Sequence, residues 1–285
     1  MKQLLILSGK GGTGKTTTAS AFIDFSKVES FADCDVDAPN LHLVTGMKKD
    51  PLTRPYYGSQ KSKIHAEKCI GCGLCAQRCR FDAILKEKDH YKVNLFACEG
   101  CGVCEASCPA GAVTMEEDIA GDLMLYQDTR VFSTAKLKMG RGNSGKLVTE
   151  VKKAVVKNSE EPQLVIIDGS PGIGCPVIAS ISGVDMVLIV AEPSLSGMSD
   201  MRRILKTCSV FGVKPAVCVN KYDTCVENTK EIETFCLENK IDFVGKIPYD
   251  QHVSKAINEG KTIAQIDCPA KEALKKVYDK IINLI

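Results

Sequence analysis

The sequence lacks an excess of either charge: 37 Lys and Arg stand against 35 Asp and Glu, a formal net charge of +2 over 285 residues. That balance supplies no electrostatic reason to expect DNA, RNA or an anionic membrane as the main partner. Long hydrophobic runs are also missing, since no apolar stretch approaches the roughly 20 residues that span a bilayer. No basic segment with a cleavage site precedes the strand-like Gln3 to Leu7, so the expected setting is the cytoplasm. Histidine is scarce, and His42, His65, His90 and His252 show no pairing at metal-ligand spacing.

What the chain has is enough apolar material, 44% of its residues, to bury at least one sizeable core in one or two domains. It also has 15 cysteines, eight of them between Cys69 and Cys108. In a reducing compartment such clustering points to metal rather than to disulfides. The other seven, Cys34, Cys175, Cys208, Cys218, Cys225, Cys236 and Cys268, are scattered and read mainly as small core residues.

Apolar runs at Leu4 to Leu7, Leu164 to Ile167, Met186 to Val190, Ala216 to Val219 and Phe243 to Ile247 read as buried strands. Segments with helical spacing alternate with them, at Ser199 to Phe211, Glu227 to Asn239 and Ala270 to Ile285. The pattern predicts an α/β fold, a doubly wound and mostly parallel sheet covered on both faces, with the ligand at the carboxyl ends of the strands. The last helix, with Leu274, Val277, Ile281 and Ile285 at helical spacing, reads as a cover for the sheet and not as a membrane anchor.

Between about Lys61 and Glu117 this rhythm gives way to short turns punctuated by Cys and Gly. Cys69-Ile-Gly-Cys72-Gly-Leu-Cys75 and Cys98-Glu-Gly-Cys101-Gly-Val-Cys104 are near copies 29 residues apart, which indicates an internal duplication. The expected organisation is therefore a first core segment over residues 1–60, an inserted small α+β domain over 61–117, and the rest of the core over 118–285. Pro51 to Gly58 serves as the entry linker, and Ala120 to Met139 as the return path to the sheet.

Gly9-Lys10-Gly11-Gly12-Thr13-Gly14-Lys15-Thr16 follows the first strand and fully matches G-x-x-x-x-G-K-[ST]. Glycines there let backbone N–H groups converge on a phosphate, Lys15 neutralises charge, and the hydroxyl of Thr16 can ligate Mg²⁺. The extra lysine, Lys10, makes the loop resemble the deviant Walker A motif of the family that includes MinD, ParA and the nitrogenase iron protein. That resemblance implies an ATPase whose Lys10 reaches the nucleotide of the opposite subunit, and hence an ATP-dependent homodimer. It also implies that Gly11, Gly12, Thr13, Gly14, Lys15, Thr16 and Thr17 hold the nucleotide. By the same resemblance, Asp35 in Asp33-Cys-Asp-Val-Asp37 orients the attacking water, and Asp168, ending Leu164-Val-Ile-Ile-Asp168, holds Mg²⁺. Read without the family, the acids at 33, 35 and 37 could be a solvated turn. Asn220-Lys221-Tyr222-Asp223 formally matches the guanine-reading N-K-x-D motif, but the family uses an asparagine here for adenine, so Asn220 is assigned to ATP, with Pro248 in the second base-side loop. Gly140 to Leu147 has phosphate-loop spacing but ends in Leu, and no clear strand runs into it; it reads as a helix start in the core domain.

The spacing C-x₂-C-x₂-C-x₃-C occurs twice, and the second copy ends in Cys108-Pro109, so the segment resembles the bacterial ferredoxins. The likeness implies two 4Fe-4S clusters, one on Cys69, Cys72, Cys75 and Cys108, the other on Cys98, Cys101, Cys104 and Cys79. Two Cys₄ zinc sites are the alternative. Cys175, seven residues after Asp168, lies where the nitrogenase iron protein has a cluster ligand, but no second ligand accompanies it, and a packed or interface thiol is the simpler reading. The functional expectation is an ATPase that couples the nucleotide state of a dimer to electron transfer toward a redox partner. The alternative is an ATP-dependent carrier that passes a cluster or metallocofactor to an apo-protein acceptor.

Overall fold

A computed structural model describes residues 1–47 and 49–285. The chain divides into two compact units. The first comprises Met1–Thr53, Leu123–Lys136 and Ser144–Ile285, and the second Arg54–Asp122 with Leu137–Asn143.

In chain order the elements are β1 (Lys2–Leu7), α1 (Lys15–Ser26), β2 (Ser30–Asp33), β3 (Leu52–Tyr57), β4 (Lys61–Ile64), α2 (Leu74–Arg78), β5 (Ile84–Glu87), β6 (His90–Val93), α3 (Val103–Ala106) and β7 (Val113–Glu116). Then follow β8 (Ile119–Gln127), β9 (Val131–Leu137), α4 (Ser144–Asn158), β10 (Leu164–Asp168), α5 (Cys175–Ile181), β11 (Met186–Ala191), α6 (Leu195–Phe211), β12 (Lys214–Asn220), α7 (Val226–Glu238), β13 (Asp242–Ile247), α8 (Gln251–Asn258) and α9 (Pro269–Ile282). The large sheet has the order β13, β12, β11, β1, β10, β2, β9, β8, β3. Every pairing from β13 through to β9 is parallel, in keeping with the continuous apolar runs of β1, β10, β11 and β12.

Strand alternation divides the core between the two faces of this sheet. Leu4 and Ile6 pack with Phe22 and Ile23 of α1 and with Leu274, Val277 and Ile281 of α9, all fully or almost fully buried. Leu5 and Leu7 point the other way and are equally buried. Helices α4, α5 and α6 contact β2, β1 and β11 and bury Val151, Ile181 and Ile204. Each such side chain contributes on the order of 1.5–3 kcal/mol through removal from water. Among the described residues, no helix is long and apolar enough to cross a membrane.

Three local expectations change, the first being that Pro51 to Gly58, expected as an entry linker, holds strand β3. The return segment after residue 118 is two strands, β8 and β9; β8, IAGDLMLYQ, holds a short apolar run at Leu123 to Tyr126 after Asp122, and β9, VFSTAKL, has none. In consequence a strand does lead toward Gly140, and the stretch from Gly140 to Asn143 belongs to the second unit, with α4 beginning only at Ser144.

In the second unit, β4 pairs antiparallel with β7 and β5 with β6. The single-turn helices α2 and α3 follow the two cysteine loops, and Cys75, Ile84, Cys104 and Val113 form a small core. A core of this size buries little apolar surface, so cross-links through cysteine or metal would be needed to stabilise it well.

Candidate nucleotide site and cysteine pockets

Parallel register sets Ile6 beside Asp168 and Asp168 beside Asp33, so the loops after β1, β10 and β2 leave the sheet at one edge. The loop after β1 turns through Gly12 at φ 78° and Gly14 at φ 90°, in the left-handed region that favours glycine. At Gly14 a Cβ would also stand 2.3 Å from the amide nitrogen of Asn220. The loop is braced from within, since Ser8 Oγ and Thr13 Oγ1 both donate to the Lys10 carbonyl.

Lys15 opens α1 and is buried. Its Nζ lies 2.7 Å from Asp168 Oδ1 and 3.9 Å from Asp35 Oδ2, and it donates to Thr16 Oγ1 at 3.3 Å. Thr16 Oγ1 in turn donates to Asp168 Oδ2 at 2.6 Å. Burial lowers the Lys15 pKa, but the attraction and hydrogen bond of Asp168 and the charges of Asp33 and Asp35 outweigh it and raise it above the ordinary value. Burial pushes the Asp35 carboxyl up, with Lys15 pulling it back. The structure thus brings together Lys15, Thr16, Asp35 and Asp168.

Asp33 is fully buried and accepts from the backbone N–H groups of Asp35, Asn40 and Leu41, each at 3.0 Å. It is the anchor of the loop that carries Asp35. Burial and the neighbouring Asp168 push its carboxyl up to about 7, against the opposing pull of Lys15 and the N–H groups of Leu41 and Asp35. Asp37, by contrast, is exposed. A pattern of three acids could not separate an anchor from a solvated neighbour, because burial depends on where β2 ends beneath the loop.

Lys10 points to a residue that sequence reasoning missed. Its Nζ lies 2.6 Å from Glu192 Oε2 and 3.4 Å from the hydroxyls of Ser194 and Ser196. The hydrogen bond from Lys10 holds the Glu192 carboxyl below its usual range, against partial burial and with help from Lys221. Glu192 immediately follows β11, so its position at the carboxyl edge of the sheet was the available signal.

Asn220 and Lys221, at the end of β12, reach the same loop. Asn220 Nδ2 donates to the Thr13 carbonyl at 2.8 Å, while its Oδ1 accepts from Lys221 N–H at 3.0 Å. Lys221 Nζ donates to the Gly12 carbonyl at 3.1 Å. Asp223 accepts from Tyr249 N–H at 2.8 Å, which ties together the two loops flanking half-buried Pro248. Gly11 and Gly12 lie exposed on the loop, and Thr17 is half-buried in the first turn of α1.

In the second unit the eight clustered cysteines fall into two pockets. Cys69, Cys72, Cys75 and Cys108 line one with Ile64, Tyr91 and Val113; Cys79, Cys98, Cys101 and Cys104 line the other with Ser62, Phe81 and Ile84. Gly71, Gly73, Gly100 and Gly102 all have φ between 69° and 78°, the left-handed turns that wrap each loop around its pocket. Ala83 N–H donates to Cys79 Sγ at 3.4 Å and Ala112 N–H to Cys108 Sγ at 3.3 Å, the same four-residue step in both halves. Burial pushes the Cys98 thiol up, yet hydrogen bonds from Ser62 and Gly100 and the charge of Lys61 hold it below its ordinary value. Among the described residues, no group of three or more His, Cys, Asp or Glu side chains lies at the spacing that holds a single metal ion.

The other cysteines are mostly packing residues: Cys34, Cys208, Cys218, Cys236 and Cys268 are buried. Cys225 is only half-buried, at the foot of α7, and Cys175 is exposed at the start of α5.

Comparison with known proteins places these features in a family. The profile of the CobQ/CobB/MinD/ParA nucleotide binding domain matches residues 4–263. An uncharacterized protein of Methanocaldococcus jannaschii is 34% identical over 288 residues, covering 99% of this chain and 97% of that protein. An uncharacterized ATP-binding protein of the same organism is 27% identical, covering 98% of this chain and 87% of its own length. An iron-sulfur cluster carrier protein of Methanococcus maripaludis is 26% identical over 141 residues, 45% of this chain and 49% of that one. Among solved structures, the septum site-determining protein MinD of Pyrococcus horikoshii, complexed with Mg-ADP, superposes with a TM-score of 0.60 at 17% identity, covering 99% and 96% of the two chains.

Proposed function

This chain belongs to the CobQ/CobB/MinD/ParA nucleotide-binding family, and from that premise we propose that it is a dimerising ATPase that couples nucleotide state to electron transfer through two resident 4Fe-4S clusters. Its ATPase character follows from the family and from the ATP-binding relative. The observation that carries the redox part is the sorting of eight cysteines into two pockets of four.

At the nucleotide, the reading assigns Gly11 to Gly14 to cradle phosphate with backbone N–H groups, and Lys15 to neutralise the β and γ phosphates. Phosphate oxygens then compete with Asp168 for the Lys15 ammonium, a contact of 2.7 Å. Thr16 and Asp168, joined at 2.6 Å, are the pair that would hold Mg²⁺, which supplies charge neutralisation on the phosphates. Asp35 stands 3.9 Å from Lys15 on a loop fixed by Asp33, which suits it to orient the attacking water. Lys10 serves the nucleotide of a second copy, and Asn220 and Pro248 border the adenine.

The donor sets fit cubane clusters. Each pocket supplies four thiols and a backbone N–H to one sulfur, and its thiols ring a space instead of converging at single-ion spacing. A cubane takes one thiolate at each of its four irons, whereas zinc draws all four onto one ion at about 2.3 Å. When bound, such clusters supply one-electron redox chemistry. Complete ligation by one folded unit favours residents over cargo, because no coordination position is left for an acceptor protein to enter.

The similarity to the iron-sulfur cluster carrier favours a second reading, ATP-dependent cluster delivery. One experiment separates them. The anaerobically reconstituted chain is incubated with Mg-ATP and an apo-ferredoxin, and iron is followed on both proteins. Retention of about eight irons per chain, with reduction of an added redox protein, supports the first reading. ATP-dependent passage of iron and sulfide to the acceptor overturns it in favour of the second.

A further inference from the structure

Strand β4 runs past both cysteine pockets and offers each a different side chain. Ser62 and Ile64 are two residues apart, so strand alternation puts them on one face. Ser62 lines the pocket of Cys79, Cys98, Cys101 and Cys104, and Ile64 lines the pocket of Cys69, Cys72, Cys75 and Cys108. Ser62 Oγ stands 2.9 Å from Cys104 Sγ, 3.7 Å from Cys98 Sγ and 3.4 Å from Met115 Sδ. Beside it, Lys61 is 8% exposed and donates its ammonium to the Cys98 carbonyl. In the other pocket the wall beside the thiols is Ile64, Leu74, Tyr91, Pro109 and Val113, and among the described residues no side-chain hydroxyl or ammonium hydrogen-bonds a thiol there.

The remaining features cancel in the comparison. Each pocket has its left-handed glycines, an N–H to the last cysteine of a motif, at 3.4 Å in one and 3.3 Å in the other, and backbone hydrogen bonds to a further thiol, from Ser62 and Gly100 to Cys98 and from Ala76 to Cys75. Among side-chain donors of the described residues the difference is one hydroxyl bonded to sulfur, Ser62, and one buried cation beside it, Lys61, both on the same side, while the Tyr91 hydroxyl in the other wall bonds no thiol.

Resting on the reading that each quartet holds a 4Fe-4S cluster, we propose that Ser62, supported by Lys61, is a potential-setting residue. It makes the quartet Cys79, Cys98, Cys101 and Cys104 the one that holds a first added electron. A thiolate bound to iron carries no proton, so the hydroxyl can only donate to it. One electron taken from a low-potential donor adds one negative charge to the cluster and its thiolates, with no bond broken and no proton moved. A donor to sulfur and a nearby ammonium, both in a poorly solvated site, stabilise that extra charge more than the charge already present. Ile64 offers the other quartet nothing equivalent.

The test uses the full chain, reconstituted anaerobically, with iron counted and potentials followed by electron paramagnetic resonance during titration with dithionite. Wild type is expected to show two separate one-electron midpoints. Ser62→Ala should move only the higher midpoint downward and narrow the gap, and Ser62→Thr, which keeps the hydroxyl, should retain it. Ile64→Ser, which adds a donor on the other side, should raise the lower midpoint. A single shared midpoint in wild type, or an unchanged gap in Ser62→Ala with full iron, overturns the assignment. Iron far below about eight per chain, or zinc in its place, overturns the cluster reading itself and the assignment with it, and so is distinguishable from a failure of the asymmetry alone.

Discussion

Lys10 and Glu192 form an ion pair within one chain, Nζ to Oε2 at 2.6 Å, joining the phosphate loop to the residue that follows β11. Both side chains are partly exposed, and Glu192 is shared with Lys221 at 3.6 Å. A lysine that serves a second copy's nucleotide must first leave this partner, so the pair opposes dimerisation by the worth of a partly solvated ion pair, about 0.2–1 kcal/mol.

Glu192→Gln is therefore expected to tighten ATP-dependent dimerisation, by roughly 1.4- to fivefold for each ion pair released, the same energy expressed as an equilibrium ratio. Lys10→Ala should abolish it while leaving nucleotide affinity largely intact. Sedimentation with and without Mg-ATP checks both, and an unaltered dimer constant in Glu192→Gln would show that the ion pair does not oppose association.

The buried pair Lys15 and Asp168 confounds the usual phosphate-loop substitution. Removing Lys15 alone leaves Asp168, fully buried, without its cation, and breaking such a pair from one side costs about 3–5 kcal/mol. Lys15→Met should lose nucleotide binding and stability together. The double variant Lys15→Met, Asp168→Asn should stay inactive but recover much of the stability, with a coupling above about 1 kcal/mol in denaturant titrations. Simple additivity would refute this.

Asn220 has both ends of its amide engaged, on Thr13 and Lys221. Asn220→Ala discriminates loop support from base reading. Loss of affinity for ATP but not for tripolyphosphate, measured calorimetrically, is the expected result if its main task is adenine; equal loss for both would reassign it to holding the loop carbonyl at Thr13.

Asp250 caps α8, accepting from His252 N–H at 2.9 Å, and its second oxygen takes Ala270 N–H at 3.1 Å. Burial alone would raise its carboxyl, but these N–H groups and the His252 ring hold it at about 2, against an ordinary value of 3.8. A depressed carboxylate contributes stability that is fully present above its unfolded value and is lost as pH falls from about 3.8 through about 2. Asp250→Ala should cost about 1–2 kcal/mol at neutral pH, as lost caps do. Urea midpoints of the two proteins should converge as pH is lowered across that window, and a pH-independent difference would contradict the assignment.

Much of the core was legible because its determinants are local. β1, β10, β11 and β12 each announce themselves by a continuous apolar run, β13 by one interrupted at Gly245 and Lys246, and the Gly9 to Thr16 loop by its spacing after a strand. β8 and β9 were not legible as strands: β8 carries a single apolar run, Leu123 to Tyr126, in an otherwise mixed segment, FSTAK mixes polar and apolar residues, and both owe their pairing to neighbours in the sheet.

The phosphate loop, the family and the two cysteine motifs could be read from the chain alone, because each is a matter of residue type at fixed short spacing. Folding was needed to bring Lys10 to Glu192 across 182 positions, to make Asp33 an anchor while Asp37 stays solvated, and to set Ser62 over one cysteine quartet and Ile64 over the other. Such relations depend on burial and register, which are set when strands distant in the chain pair side by side, and no local pattern encodes them.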